Sequence, residues 1–235
     1  MQFDAIQLEV MWNRLISVVN EQAKALMRTS FTSIVREAGD LSAGVFDERG
    51  YMLAQAVTGT PGHINAMATC IHHFLAEYPA DTLVPGDVLI TNDPQKTSGH
   101  LHDITVITPV FLGARVVGFF GNCCHVLDIG GIGLSTDGRS MFEEGLYIPV
   151  TKLFDAGVEN RELIKIIATN VRAPEPVLGD IHAQVAGNEV GVQRLVAFMT
   201  EFKLENLIEL GDEIIQRSEK AMRLAIATLP DRTLE

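Results

Sequence analysis

Two strand-like apolar runs, ITVITPVF (residues 104–111) and RVVGFFG (residues 115–121), are separated only by Leu112, Gly113 and Ala114. A parallel pairing needs a crossover of a dozen residues or more, so this link allows only an antiparallel hairpin. That pair dictates the rest of the reading. A second hairpin is expected where residues 41–46 and 51–56 flank the polar turn at 47–50, and a further strand at 87–91. Helices are expected on both sides. Met11, Leu15, Val18, Val19, Gln22 and Leu26 follow the helical spacing within residues 4–28, and a second helix is predicted over 64–77, ending before Pro79. The glycine-rich stretch 130–138 reads as loop. From Glu159 onward the pattern is mainly helical, broken by RAPEPVLGD, with the last helices at 179–198 and 204–228. The fold class is α+β, with central antiparallel strands and hairpins, flanking helices and a helical C-terminal region. Residues 1–235 read as one region with no internal boundary.

The hairpin brings a chemical pattern with it. His100-x-x-Asp103 precedes its first strand and His125-x-x-Asp128 follows its second. The start of one hairpin strand lies beside the end of its partner, so the two figures are expected to meet. Two neutral imidazoles with one or two carboxylates suit Zn²⁺, Mn²⁺ or Fe²⁺ and leave positions open for water or substrate. A structural zinc site would more often use cysteines. Against this stands the simpler reading, in which a histidine at a strand end is a hydrogen-bonded surface or core residue.

The remaining candidates are weaker. His102 points away from Asp103 if the segment is extended, as a supporting or surface group. His63, in GTPGHINA, could bind substrate, but its helix-start position favours packing; His72, His73 and His182 fall within helical patterns. Cys123 and Cys124 point to opposite faces of a strand and read as small buried residues. Asp40, ahead of the first hairpin, is a candidate further carboxylate. Glu143 and Glu144 suit a helix start or a solvated turn, with Glu144 the candidate general base.

Composition narrows the partners. A net charge of −12 argues against nucleic acid. No stretch approaches eighteen apolar residues, so no membrane span is expected, and the N-terminal stretch has no signal-peptide pattern. Three cysteines make no disulfide framework, and the expected compartment is the cytoplasm. A mean hydropathy of +0.18 without a membrane span suggests apolar surface covered by a partner. TNDPQKTSGH lacks the GxxxxGK[ST] pattern, and there is no GxGxxG, so no nucleotide loop is expected.

Taken in order, PGDVLITNDPQKTSGHLHDITVITPVF, HVLDIGG, EEGLYIP and NVRAPEPVLGDIHAQVAG resemble the hydantoinase B/oxoprolinase family over nearly the whole chain. That family includes N-methylhydantoinase B, 5-oxoprolinase, caprolactamase-type subunits and the acetone carboxylase α subunit. The resemblance implies a divalent metal, zinc or manganese with iron as a third option, held by His100, Asp103 and His125. It implies that Asp128 orients an imidazole or adds a ligand, and that Asp40 faces the same cavity. It also implies a hydantoinase A-like ATPase partner carrying ATP and magnesium. The activity implied is opening of a hydantoin, 5-oxoproline or lactam ring, a small-molecule substrate. An acetone-carboxylase-like carboxylase subunit and a non-catalytic scaffold are the alternatives. The chain is short against typical B subunits and corresponds to their N-terminal portion. Two alternatives stand: a short or split member whose C-terminal half is a separate chain, or a piece of a longer B subunit. His102 stands where the family more often has proline.

Overall fold

The structure, a computed structural model, describes residues 3–133 and 135–230. Its strands are β1 (Leu41–Asp47), β2 (Met52–Gln55), β3 (Val88–Thr91), β4 (Asp103–Leu112), β5 (Arg115–His125), β6 (Thr151–Asp155) and β7 (Val158–Glu159). They form one sheet in the order β2-β1-β5-β4-β3-β6-β7, with every neighbouring pair antiparallel. The helices are α1 (Ala5–Thr29), α2 (Ser33–Arg36), α3 (Pro61–Glu77), α4 (Met141–Glu144), α5 (Arg161–Asn170), α6 (Pro174–Phe202) and α7 (Ile208–Ile226). The architecture is α+β, as the sequence pattern indicates.

The β4–β5 hairpin is the centre of the sheet, and it runs further than its apolar runs suggest. Pairing continues to Asp103 opposite His125, four residues past Gly121 on β5. Near the turn the register shifts between Val110 and Phe111. Val110 faces Gly118 and Phe111 faces Val116, which leaves Val117 as an extra residue in a bulge.

Alternation then sorts the side chains. Phe120, Cys124 and Val110 face α1 and α6, where they pack with Leu15, Leu26 and Phe198. Phe119, Cys123 and Ile107 face α3 and pack with Met67, Ile71 and Phe74. Asp4 caps α1 through a 2.7 Å bond from the Gln7 N–H. In α6, a Cβ at Gly191 would come within 2.5 Å of the Phe120 ring, so only glycine lets this helix lie so close to the sheet.

Between α1, α6 and the sheet sits a layer of amides in an otherwise apolar core. Gln22, Asn122, Gln184 and Asn188 are fully buried. Asn188 Oδ1 accepts from Gln22 Nε2 and Asn122 Nδ2, both at 2.7 Å, while its Nδ2 donates to Val106 O and Thr108 Oγ1 at 3.1 Å. Gln184 Nε2 donates to Ile104 O at 2.7 Å and Asn122 Oδ1 at 2.8 Å. The amides fix α6 against the two central strands, since buried donors must find acceptors.

Several elements depart from the sequence reading. α3 starts at Pro61, three residues early, because proline suits a first helical turn. α6 starts at Pro174, so RAPEPVLGD is mostly helix. Its prolines lie in the first turn, where no amide bond is lost, and only residues 171–173 separate α5 from α6. The β6–β7 hairpin carries no strong apolar alternation. It turns on Ala156 and Gly157, both at positive φ (48° and 82°), as a two-residue turn requires. The glycine-rich stretch is irregular at its described residues up to Met141, and Leu134 lies outside them.

Asp87 holds that hairpin to β3. Its buried carboxylate accepts from Val84 N (3.0 Å), Ala156 N (2.9 Å) and Lys152 Nζ (3.0 Å). Burial alone would raise its pKa, but the two backbone donors and the ammonium outweigh it and hold the group below the ordinary carboxylate range. A depressed folded-state pKa stabilises above the unfolded value, about 3.9, and that stability is lost as pH falls through the folded value. Asp87→Asn is expected to cost about 2 kcal/mol at pH 7 and to flatten the acid limb of the stability curve, as read by urea denaturation across pH.

Candidate metal centre

Three neighbouring strands end together on the α3 side of the sheet. Asp103 starts β4, His125 ends β5 directly opposite it, and Asp40 immediately precedes β1, the strand on the other side of β5. The His125 N–H donates to Asp40 O at 3.2 Å, continuing the ladder past its last paired residues. Residues directly opposite in an antiparallel pair project to the same face, so Asp103 and His125 converge by register alone. His100 arrives from the loop before β4, and His63 from the first turn of α3.

Asp103 is the hub. Its Oδ1 lies 3.2 Å from His125 Nδ1, and its Oδ2 lies 2.9 Å from His100 Nε2 and 3.0 Å from His63 Nε2. Asp40 Oδ2 is 3.9 Å from His125 Nδ1, and its Oδ1 is 4.0 Å from His63 Nε2 while accepting from Thr60 Oγ1 at 2.6 Å. Burial would raise the Asp103 pKa, yet the three imidazole contacts hold it well below the usual carboxylate range. The His100 pKa is raised, first by its contact with Asp103 and further by the nearby charges of Glu144 and Asp40. Among the described residues neither Asp103 nor Asp40 has a Lys or Arg within ion-pair distance. Two carboxylates, one of them buried, thus face imidazoles and one hydroxyl, with no cationic side chain among the described residues, a donor set that suits a cation.

The ligand-type atoms of His100, Asp103 and His125 lie within 4.8 Å of one another, as do those of His63, Asp103 and Cys123. The first set fits a divalent ion better. Cys123 is fully buried, and burial, with the charge of Asp103, pushes its thiol up to about 12. Cys124 points to the opposite face, into the α1–α6 core.

The other candidates are distributed as follows. Asp40 joins the cluster. Glu144 stands beside it: its Oε2 accepts from the Leu101 N–H at 3.1 Å, and its charge acts on His100 and His102. Glu143 turns outward to the Arg139 N–H. Among the described residues, Asp128 bonds no imidazole. The chain leaves the strand after His125, and Asp128 is taken by Arg172 (Nη1 at 2.7 Å, plus the Arg172 N–H) and by the Gly130 N–H at 3.0 Å. The second His-x-x-Asp figure therefore contributes only its histidine. Asp128 and Arg172, which also bonds Gly131 O, anchor the glycine-rich loop instead.

The linear pattern undervalues two histidines. His102 is buried, not on the surface. It precedes β4 in a turn, where alternation does not apply, and its ring stacks on His125 (centroids 5.3 Å) and His100 (5.5 Å). Burial first, then the proximity of His125 and His100, lowers its pKa and favours the neutral ring. His63 is buried against Asp103 because α3 packs across the strand ends. The chain offers only Pro61–Gly62 ahead of it as a local signal of a helix start.

Comparison with known proteins places the chain as a whole. Residues 4–235 match the family model of hydantoinase B/oxoprolinase. A protein of Pseudomonas sp. (strain NS671) assigned as the B component of a D-/L-hydantoinase is 34% identical over 237 residues, covering 98% of this chain and 40% of that protein. The crystal structure of ATP-dependent caprolactamase from Pseudomonas jessenii superposes with a TM-score of 0.84 at 27% identity, covering 99% of this chain and 40% of that one. The nucleotide-free acetone carboxylase structure gives a TM-score of 0.74 at 21% identity over 86% of this chain and 27% of that one, which shows a shared fold. The chain thus spans about 40% of the length of the hydantoinase and caprolactamase relatives.

Proposed function

The chain belongs to the hydantoinase B/oxoprolinase family, whose named relatives include cyclic-amide hydrolases, and from that premise we propose that it forms the metal-holding part of a ring-opening enzyme. The substrate class is a hydantoin, 5-oxoproline or lactam, and activity requires a hydantoinase A-like ATPase partner. One observation carries the reading. Two imidazoles and a buried carboxylate converge from neighbouring strand ends, with no Lys or Arg among the described residues to neutralise the charge.

His100, Asp103 and His125 would hold the ion, with Asp40 next to them. A divalent ion there supplies Lewis acidity toward an amide carbonyl. The chain's own residues do the rest. Glu144, whose Oε2 accepts from the Leu101 N–H, would serve as the general base that takes a proton from water. His102 stacks on the His100 and His125 rings, and its burial favours the neutral form. Asn92 ties the His100 loop to the segment after Glu144, donating to Leu101 O at 2.7 Å and Leu146 O at 2.9 Å and accepting from Ile148 N at 2.7 Å.

The test is metal content by elemental mass spectrometry, on protein purified without added metal, beside a His100→Ala/His125→Ala variant. The expected result is about one equivalent of zinc, manganese or iron in the parent, lost in a variant that keeps its circular dichroism spectrum. A parent that stays metal-free after reconstitution would remove the catalytic reading and favour a scaffold role.

A further inference from the structure

We propose that His63 is a positioning residue that aims the Asp103 carboxylate, an inference that rests on the metal reading above. His63 is 4% exposed and sits in the first turn of α3, with Nε2 3.0 Å from Asp103 Oδ2. Its other ring nitrogen, Nδ1, is buried with no hydrogen-bond partner among the described residues. An unpaired N–H would cost more than an unpaired ring lone pair next to these carboxylates, so the proton belongs on Nε2 and points at Asp103.

The donor matters because of what the other two imidazoles must do. In holding a cation, His100 Nε2 and His125 Nδ1 direct lone pairs at it and cease to donate to Asp103. His63 is then the one side-chain donor left on that carboxylate among the described residues. It fixes Oδ2 and so determines where Oδ1 points, the role outer partners of metal ligands commonly fill. The helix turn that carries it is itself anchored. Thr60 Oγ1 bonds Asp40 Oδ1 at 2.6 Å, and the Thr60 N–H bonds Leu41 O at 3.0 Å. One turn of α3 thus holds both carboxylates of the cluster.

The experiment is the dissociation constant for Zn²⁺ and for Mn²⁺, by chelator competition, on the parent, His63→Leu and His63→Gln. Gln places an N–H close to the position of Nε2; Leu fills the space without a donor. Circular dichroism and urea denaturation verify folding. The proposal expects affinity to fall about 10- to 100-fold in His63→Leu and to be largely restored in His63→Gln. Equal loss in both variants would overturn it, making the ring a ligand or a packing element. Unchanged affinity in His63→Leu would overturn it as well, with the metal reading intact. A parent that binds neither ion would overturn both.

Discussion

Asp103→Asn weakens zinc or manganese binding about a thousandfold: that is the expected result, and the largest effect of any single substitution in this chain. The change keeps volume and removes the one carboxylate that three imidazoles share. Breaking a buried, hydrogen-bonded charge constellation costs roughly 3–5 kcal/mol, and each 1.4 kcal/mol is tenfold in affinity. A second readout is independent of metal. The His100 pKa is raised chiefly by its contact with Asp103, so in the metal-free variant His100 titrates at lower pH, measurable by NMR on labelled histidine. The sign follows: a raised folded-state pKa stabilises below the unfolded value, about 6.5, and that contribution fades as pH rises through the folded value. The part of the variant's lost stability that comes through His100 should therefore appear below about pH 6.5. Affinity within a few-fold of parent would show that Asp103 is not a ligand.

Asn188→Ala should be the most damaging change away from the site. Four hydrogen bonds end on this fully buried side chain. Its removal takes the acceptor from one N–H of each of the Gln22 and Asn122 amides, whose other N–H groups still reach Gly121 O and Gln184 O, and leaves a void beneath β4. The network has little slack, since Gln22 Oε1 and Gln184 Oε1 already lack partners among the described residues. At roughly 1–3 kcal/mol for each polar group left unsatisfied, the loss is about 4 kcal/mol, read as a lower urea midpoint with an unchanged slope. A loss below about 1 kcal/mol would mean that water replaces the side chain.

How much of this is legible in the chain alone depends on whether the information is local. The β4–β5 hairpin can be read because three linking residues exclude other topologies, and Asp103 beside His125 follows from strand geometry. α1 can be read because its apolar stripe has a helical period, although Gln22 within that stripe gives no hint of the amide layer. His63 reads as a packing residue because its partner is forty residues away, across a helix–sheet contact with no local signature. Asp128 misleads for the opposite reason. Its spacing copies that of Asp103, but the first figure leads into a strand and the second leads out of one, so identical intervals point to different places. The prolines of RAPEPVLGD mislead similarly, as the same residues that break a helix interior start one.

The bulge at Val117 has a consequence for the chemistry some seven residue pairs away, roughly 23 Å along β4. Strand pairing is a count, and this one runs from the turn toward the site. Were the ladder to pass straight through without absorbing the extra residue, Val110 would meet Val117, and every later pair would be off by one. Cys124 would then stand opposite Asp103, and His125 would project into the α1–α6 core. Cys123, Cys124 and His125 are consecutive, so which of sulfur or nitrogen faces the carboxylate is decided by a miscount at the distant end of the hairpin. Which side chain a cation would meet beside Asp103 is, in that sense, a matter of arithmetic parity in the sheet.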